Sequence, residues 1–213
     1  MKCAICELRK PRRYCPGVRG EICTICCGTE RENTIDCPFD CIYLREARAR
    51  EKPHDLDESM VAQMPFAEIR IPERFLQEHE ALMHLMADGV MTAVFSTPGA
   101  VDYDLREGLE ALIRTYKTRE SGLIYETRPS NPVAAAIYER LNAHMEEGRK
   151  KIGANSGLSV RDADIMAALL IIQRQEYRRN NGRKRGRAYI DHLRDFYTEH
   201  DAAVNPTASS LIV

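Results

Sequence analysis

The sequence predicts a small metal-stapled head followed by an all-α domain of about five helices. Two observations carry this expectation. All eight cysteines lie in the first 41 residues, at Cys3, Cys6, Cys15, Cys23, Cys26, Cys27, Cys37 and Cys41. From residue 72 onward, apolar residues recur every three or four positions, the period of a helix with one buried face. The expected boundaries are 1–52 for a cysteine-rich zinc-binding module, 53–71 for a linker, 72–200 for a helical bundle and 201–213 for a flexible tail.

A chain of 213 residues can form one large domain or two smaller ones. Hydrophobic residues make up 44% and charged residues 30%, so an apolar core is available to the body. The formal net charge of −1 leaves no global polyanion-binding signature. Residues 1–52 carry eleven Lys/Arg against eight Asp/Glu, but each four-thiolate zinc site adds roughly −2, which removes that mild excess. Met1-Lys2-Cys3 opens the cysteine framework with no apolar leader, and the longest apolar run, 165–172, is far short of a membrane span. The expectation is a cytoplasmic protein without a membrane partner, whose reduced thiols bind metal rather than pair as disulfides.

Within the head, Cys3-Ala4-Ile5-Cys6 and Cys23-Thr24-Ile25-Cys26 are two C-x2-C knuckles sixteen residues apart. A tight turn across two residues aims both sulfurs at one point, and two such turns surround one ion. Cys15, Cys27, Cys37 and Cys41 remain. Adjacent Cys26 and Cys27 cannot chelate one ion without strain, so Cys27 is assigned to the second set. The result is an interleaved pair of saturated sites and two structural zinc ions. An iron–sulfur cluster also takes four thiolates, but the chain has no C-x2-C-x2-C run. So small a module cannot stand on apolar burial alone, which makes metal binding part of its folding free energy.

Cys37-Pro38-Phe39-Asp40-Cys41 leads into Tyr43–Lys52, expected as a short helix stopped by Pro53. A ligand pair at a helix N-terminus resembles the treble-clef arrangement. The segment is also similar to the closing part of HIT-type and MYND-type cross-braced fingers, although it lacks their histidine ligand. That likeness covers residues 1–48 and implies protein binding. With Cys26-Cys27-Gly28-Thr29, Asp36-Cys37-Pro38 and Tyr43-Leu44-Arg45-Glu46-Ala47-Arg48, the head more closely resembles a group of bacterial proteins with a cysteine-rich zinc-finger head, a likeness that implies no activity.

Residues 53–65 read as an acidic linker, and Phe66–Ile71, between two prolines, as a short extended piece. A first helix starts at Pro72 or Glu73 and carries Phe75, Leu76, His79, Leu82, Met83, Met86 and Val90 on one face. Asp104 opens a second, with Leu105, Leu109, Leu112, Ile113 and Tyr116. Ser130-Asn131-Pro132 caps a third, with Val133, Ile137, Leu141 and Met145. Ser159-Val160-Arg161-Asp162 opens a fourth, whose 165–172 stretch is apolar all round and therefore central. Gly186 precedes a fifth, with Tyr189, Ile190, Leu193, Phe196 and Tyr197. A short strand is expected within Ser121–Thr127.

The body offers little chemistry. Glu80 and His84 stand four apart on one helix, but no Glu-x-x-His pair repeats as a di-iron bundle requires. No phosphate-cradling loop, nucleophile elbow or H-E-x-x-H motif is present. The charged segment 174–187 holds seven basic residues, Arg174, Arg178, Arg179, Arg183, Lys184, Arg185 and Arg187, against one acid. It is the candidate nucleic-acid surface, since arginine forks grip phosphate and Tyr177 can stack. The acids of the fifth helix argue against that helix entering a major groove. Saturated four-thiolate sites leave no position for water. The expected function is therefore a non-enzymatic zinc-binding protein that acts as a protein-interaction or regulatory module. The alternatives are a nucleic-acid-associated regulator using 174–187, and an enzyme with its site in the helical domain. The expected partner is another protein, and the helical body also suits self-association.

Overall fold

A computed structural model describes residues 1–123, 125–156 and 159–195. The expected tail, including Leu211-Ile212-Val213, lies outside the described residues, as do Phe196, Tyr197 and His200.

The head begins with the Cys3–Cys6 knuckle. An antiparallel hairpin follows, β1 (Arg13–Cys15) against β2 (Gly20–Ile22), with Tyr14 opposite Glu21. Two short helices complete it, α1 (Thr24–Glu30) and α2 (Ile42–Arg48). The hairpin and α1 carry no apolar period that sequence inspection could find, because they are held by sulfur. Six of the nine buried members of the head's own core are cysteines; the others are Ile22, Ile35 and Leu44. The hairpin turn is close-packed: a Cβ on Gly17 would lie 2.5 Å from the carbonyl oxygen of Asp36.

The expected linker is partly structured. Asp57 caps α3 (Glu58–Gln63) by accepting from Met60 N at 2.8 Å. Residues 66–68 are turns rather than an extended piece, and Phe66, Ile69 and Ile71 pack on the body's core. Burial of those three side chains overrides the pattern of the two flanking prolines.

The body is helical, with its core between α5 (Glu80–Phe95), α6 (Asp102–Glu120), α7 (Pro132–Ser156) and α8 (Asp162–Arg179). Helix α6 packs on α7 and α8, and α5 on the same two. The stripe Leu105, Leu109, Leu112, Ile113 and Tyr116 is completely buried. The 165–172 stretch of α8 is the central element, buried except for the partly covered Ile171. Among the described residues no helix is long and apolar enough to cross a membrane.

Three helix starts differ from expectation. The first helix breaks at His79 into α4 (Phe75–Glu78) and α5; the His79 ring meets Phe75 edge-on at 4.4 Å and its Nε2 lies 3.3 Å from Asp164. Helix α6 begins two residues before Asp104, whose carboxylate reaches back to accept from Val101 N at 3.0 Å. Asp164 does the same for Arg161 N at 3.2 Å at the start of α8. In both, an acid one turn in acts as the returning half of a capping box: the expected Asp104 in α6, and in α8 Asp164 in place of the expected Ser159 and Asp162. Residues 121–127 contain no strand among those described.

Residues 188–195 form α9. Its first N–H groups are satisfied from another helix: the buried Asp102 carboxylate accepts from Tyr189 N at 3.0 Å and Ile190 N at 3.1 Å. Burial outweighs those two bonds and raises the Asp102 pKa from 3.8 to about 7. The folded state therefore binds more protons than the unfolded state between those values, and stability falls as pH rises through that window. Asp102→Asn removes the titration, so the urea midpoint of the variant should change less between about pH 5 and about pH 8 than that of the parent chain. An unchanged pH dependence in the variant would contradict this assignment.

Candidate metal centre

Backbone hydrogen bonds shape the first ligand quartet. Cys3 O accepts from Glu7 N at 2.9 Å, closing the first knuckle, and Ala4 N donates to Glu21 O at 2.9 Å, fastening it to β2. The second knuckle is the start of a helix: Cys23 is the N-cap of α1 and its sulfur accepts from Cys26 N at 3.4 Å. Cys23 N in turn donates to Cys3 Sγ at 3.2 Å. The ligand atoms of Cys3, Cys6, Cys23 and Cys26 all lie within 4.8 Å of one another, so this group can hold a metal ion. Tetrahedral zinc with bonds of about 2.3 Å sets sulfurs about 3.8 Å apart, inside that limit.

The electrostatics of the quartet favour a cation. Burial works against a thiolate at Cys3, but backbone donors from Cys6, Cys23 and Ile5 prevail and bring its pKa down to about 6. Cys26 moves the other way, to about 12, through burial and then through its sulfur neighbours Cys23, Cys6 and Cys3. One site thus ionises readily yet resists its last negative charge, and a dication removes that resistance. Arg9 lies beside the Cys23 sulfur and has its own pKa raised by it.

The remaining cysteines are distributed over the hairpin and both helices. Cys15 ends β1, Cys27 lies in α1, Cys37 precedes α2 and Cys41 is the N-cap of α2. All four line one small cavity of about 10 Å³, together with Arg13, Arg31 and Tyr43. Arg13 Nη1 donates to Cys27 Sγ at 3.5 Å and Arg31 Nη2 to the same sulfur at 3.7 Å. Burial is the main cause of the raised Cys37 pKa. Among the described residues only the first quartet gathers its ligand atoms within 4.8 Å. All eight cysteines are free thiols.

The basic segment expected at a nucleic-acid surface is largely turned onto the head. Arg183 Nη1 donates to Gly28 O at 3.2 Å and Arg31 O at 2.6 Å. Arg185 and Arg187 pair with Asp36 at 3.3 and 3.2 Å, and Arg187 also donates to Cys37 O and lies over Phe39. Arg174 Nη2 reaches Ile69 O at 3.5 Å, and Arg178 O accepts from His54 N at 2.6 Å. Lys184 is exposed, with its N donating to Asn33 Oδ1, and Arg179 lines a cleft beside α2.

At the centre of this joint is Glu32, a residue that sequence reasoning did not single out. It is completely buried and adopts a left-handed φ of 51°. Its carboxylate accepts from Arg48 Nη2 at 2.5 Å, Arg187 N at 3.1 Å and Asn181 Nδ2 at 3.1 Å, and its carbonyl accepts from Arg185 N at 2.7 Å. Arg48 continues the chain to Asp191 of α9 at 3.6 Å, where Arg194 also pairs at 2.7 Å. Nearby, buried Glu176 takes a two-pronged contact from Arg106 at 2.6 and 3.0 Å. No local pattern marks Glu32: Arg48 lies 16 residues on, and Asn181 and Arg187 lie 149 and 155 residues away. In the body, His144 faces Asp88 at 3.2 Å.

No known protein family, curated protein or solved structure matches this chain.

Glu32→Ala leaves Arg48 and the 181–187 donors without their shared acceptor. Loss of one partner of a buried ion pair costs about 3–5 kcal/mol. The expected outcome is a lower urea midpoint and faster proteolytic separation of head from body, whereas an unchanged cleavage pattern contradicts the role given to Glu32.

Proposed function

We propose that the protein is a non-enzymatic interaction module whose head is folded by two zinc ions and presented to a protein partner. The observation that carries this reading is the apolar exposure of the head: Leu8, Tyr14, Ile25 and Ile42 are 81%, 57%, 53% and 61% exposed. A fold held by sulfur and metal does not need these groups inside, so they remain available for contact. Cys3, Cys6, Cys23 and Cys26 take the first ion. The order knuckle, hairpin, helix-borne knuckle supports the likeness to treble-clef fingers.

Cys15, Cys27, Cys37 and Cys41 take the second. Their common cavity supports this, and so do the two guanidinium donors on Cys27, which offset the negative charge of four thiolates around a dication. Both sites are saturated by sulfur, so the ions act as folding devices. The contacts of Arg183, Arg185 and Arg187 weigh against a nucleic-acid surface in 174–187. For the enzyme reading, a pocket collecting Glu80, His84 and His144 would be the supporting feature. The three cavities described, beside α2, beside α4 and within the head, take none of these residues as lining.

Native mass spectrometry of the purified chain should show two zinc ions. Cys27→Ser combined with Cys37→Ser should retain one ion, and Cys3→Ser combined with Cys23→Ser should lose the other. Iron absorbance, or a single ion in the parent chain, overturns the two-zinc assignment. For the interaction, a partner captured by the zinc-loaded chain should be lost on chelation and with Ile25→Ser, while Ile25→Ser keeps its zinc. Capture indifferent to both treatments removes the head from the function.

A further inference from the structure

A cleft of about 780 Å³ opens where head meets body. Arg45, Arg48, Glu51 and Lys52 line it from the head side, in and just after α2. Arg179, at the end of α8, and the first turns of α9 line it from the body side. Much of the charge here is already paired: Arg48 with Glu51 and Glu32, and Arg194 with Asp191 and Asp195. Three cations are not. Arg45, Lys52 and Arg179 have no carboxylate partner among the described residues. The unpaired acid of the lining is Asp40, which is exposed.

The placement of Arg179 is informative. It is half-buried, and both its burial and the adjacent Arg178 lower its pKa. A guanidinium in that position is held without the carboxylate that Arg48, Arg185, Arg187 and Arg194 each face. Unpaired cations from two separate parts of the chain, facing one cavity of ligand size, are the elements of an anion site.

We propose that this cleft binds a small phosphate-bearing anion through Arg45, Lys52 and Arg179. Phosphate suits the group because it carries more than one charge and offers several acceptor oxygens to an arginine fork and a lysine ammonium at once. Head and body both contribute, so an occupied cleft draws them together. The proposal rests on the docked arrangement of head and body and not on what the head recognises.

The test is isothermal titration of the full, metal-loaded chain with inorganic pyrophosphate and, separately, with a nucleoside diphosphate. The expected dissociation constant is below about 1 mM. Arg179→Gln and Lys52→Gln should each weaken it by about tenfold, the loss of one charge-assisted contact. Arg140→Gln, an exposed cation of α7 outside the cleft, should leave it unchanged. Far-UV circular dichroism and zinc content of each variant check the fold. Tighter binding of the nucleotide assigns an organic group to the ligand, and equal binding assigns the bare anion. Absence of binding up to about 10 mM, well beyond this affinity range, overturns the site. Equal weakening by Arg140→Gln does so as well.

Discussion

The position of the head depends on one buried carboxylate. Glu32 sits at a turn with left-handed backbone, fully excluded from solvent, and collects donors from α2 and from the loop between α8 and α9. A charge in that environment is tolerated only when nearly every lone pair is engaged. The contacts around it therefore stand or fall together. They also explain why the loop 180–187 is so basic. Its arginines meet backbone carbonyls of Gly28, Arg31 and Cys37 and the carboxylate of Asp36, groups that a sulfur-cored module leaves at its surface.

The two parts of the molecule solve the folding problem differently. The body buries long apolar stripes on four helices around α8. The head has only Ile22, Ile35 and Leu44 besides cysteine in its interior, too little apolar area for a module of its size. A thiolate buried among other sulfurs is costly without a cation: burial first, and then its sulfur neighbours, raise the pKa of Cys26. The same arginines that appear as a surplus in the composition of the head stand beside these sulfurs: Arg9 at Cys23, and Arg13 and Arg31 at Cys27. A composition-level charge count is thus a poor guide to the surface field of a thiolate-rich module.

What was legible in the sequence was local. The C-x2-C spacing located the first quartet, because a knuckle is a four-residue turn that carries its geometry with it. The stripes of α6 and α8 were legible because burial follows a helical period. The break at His79 was not, since the ring turns toward Asp164 of a distant helix. Asp104 was recognised at the start of α6 but placed at the wrong end of the capping box, since Asp can serve from either end, while at α8 Ser159 and Asp162 were expected where Asp164 closes the box. The hairpin escaped because three-residue strands carry no usable alternation.

By itself, then, the sequence determined the division into a cysteine-built head and a helical body, the first cysteine quartet, which can hold a metal ion, and the buried faces of the main helices. Those features follow from spacing along a few turns of chain. The tertiary structure alone decided what the basic segment does, which acid anchors the head, how Asp102 caps α9 from another helix, and that unpaired Arg45, Lys52 and Arg179 share one cleft. Each of these joins residues far apart in the chain. Electrostatic pairing at such separations is set by packing, and no local pattern of residues encodes it.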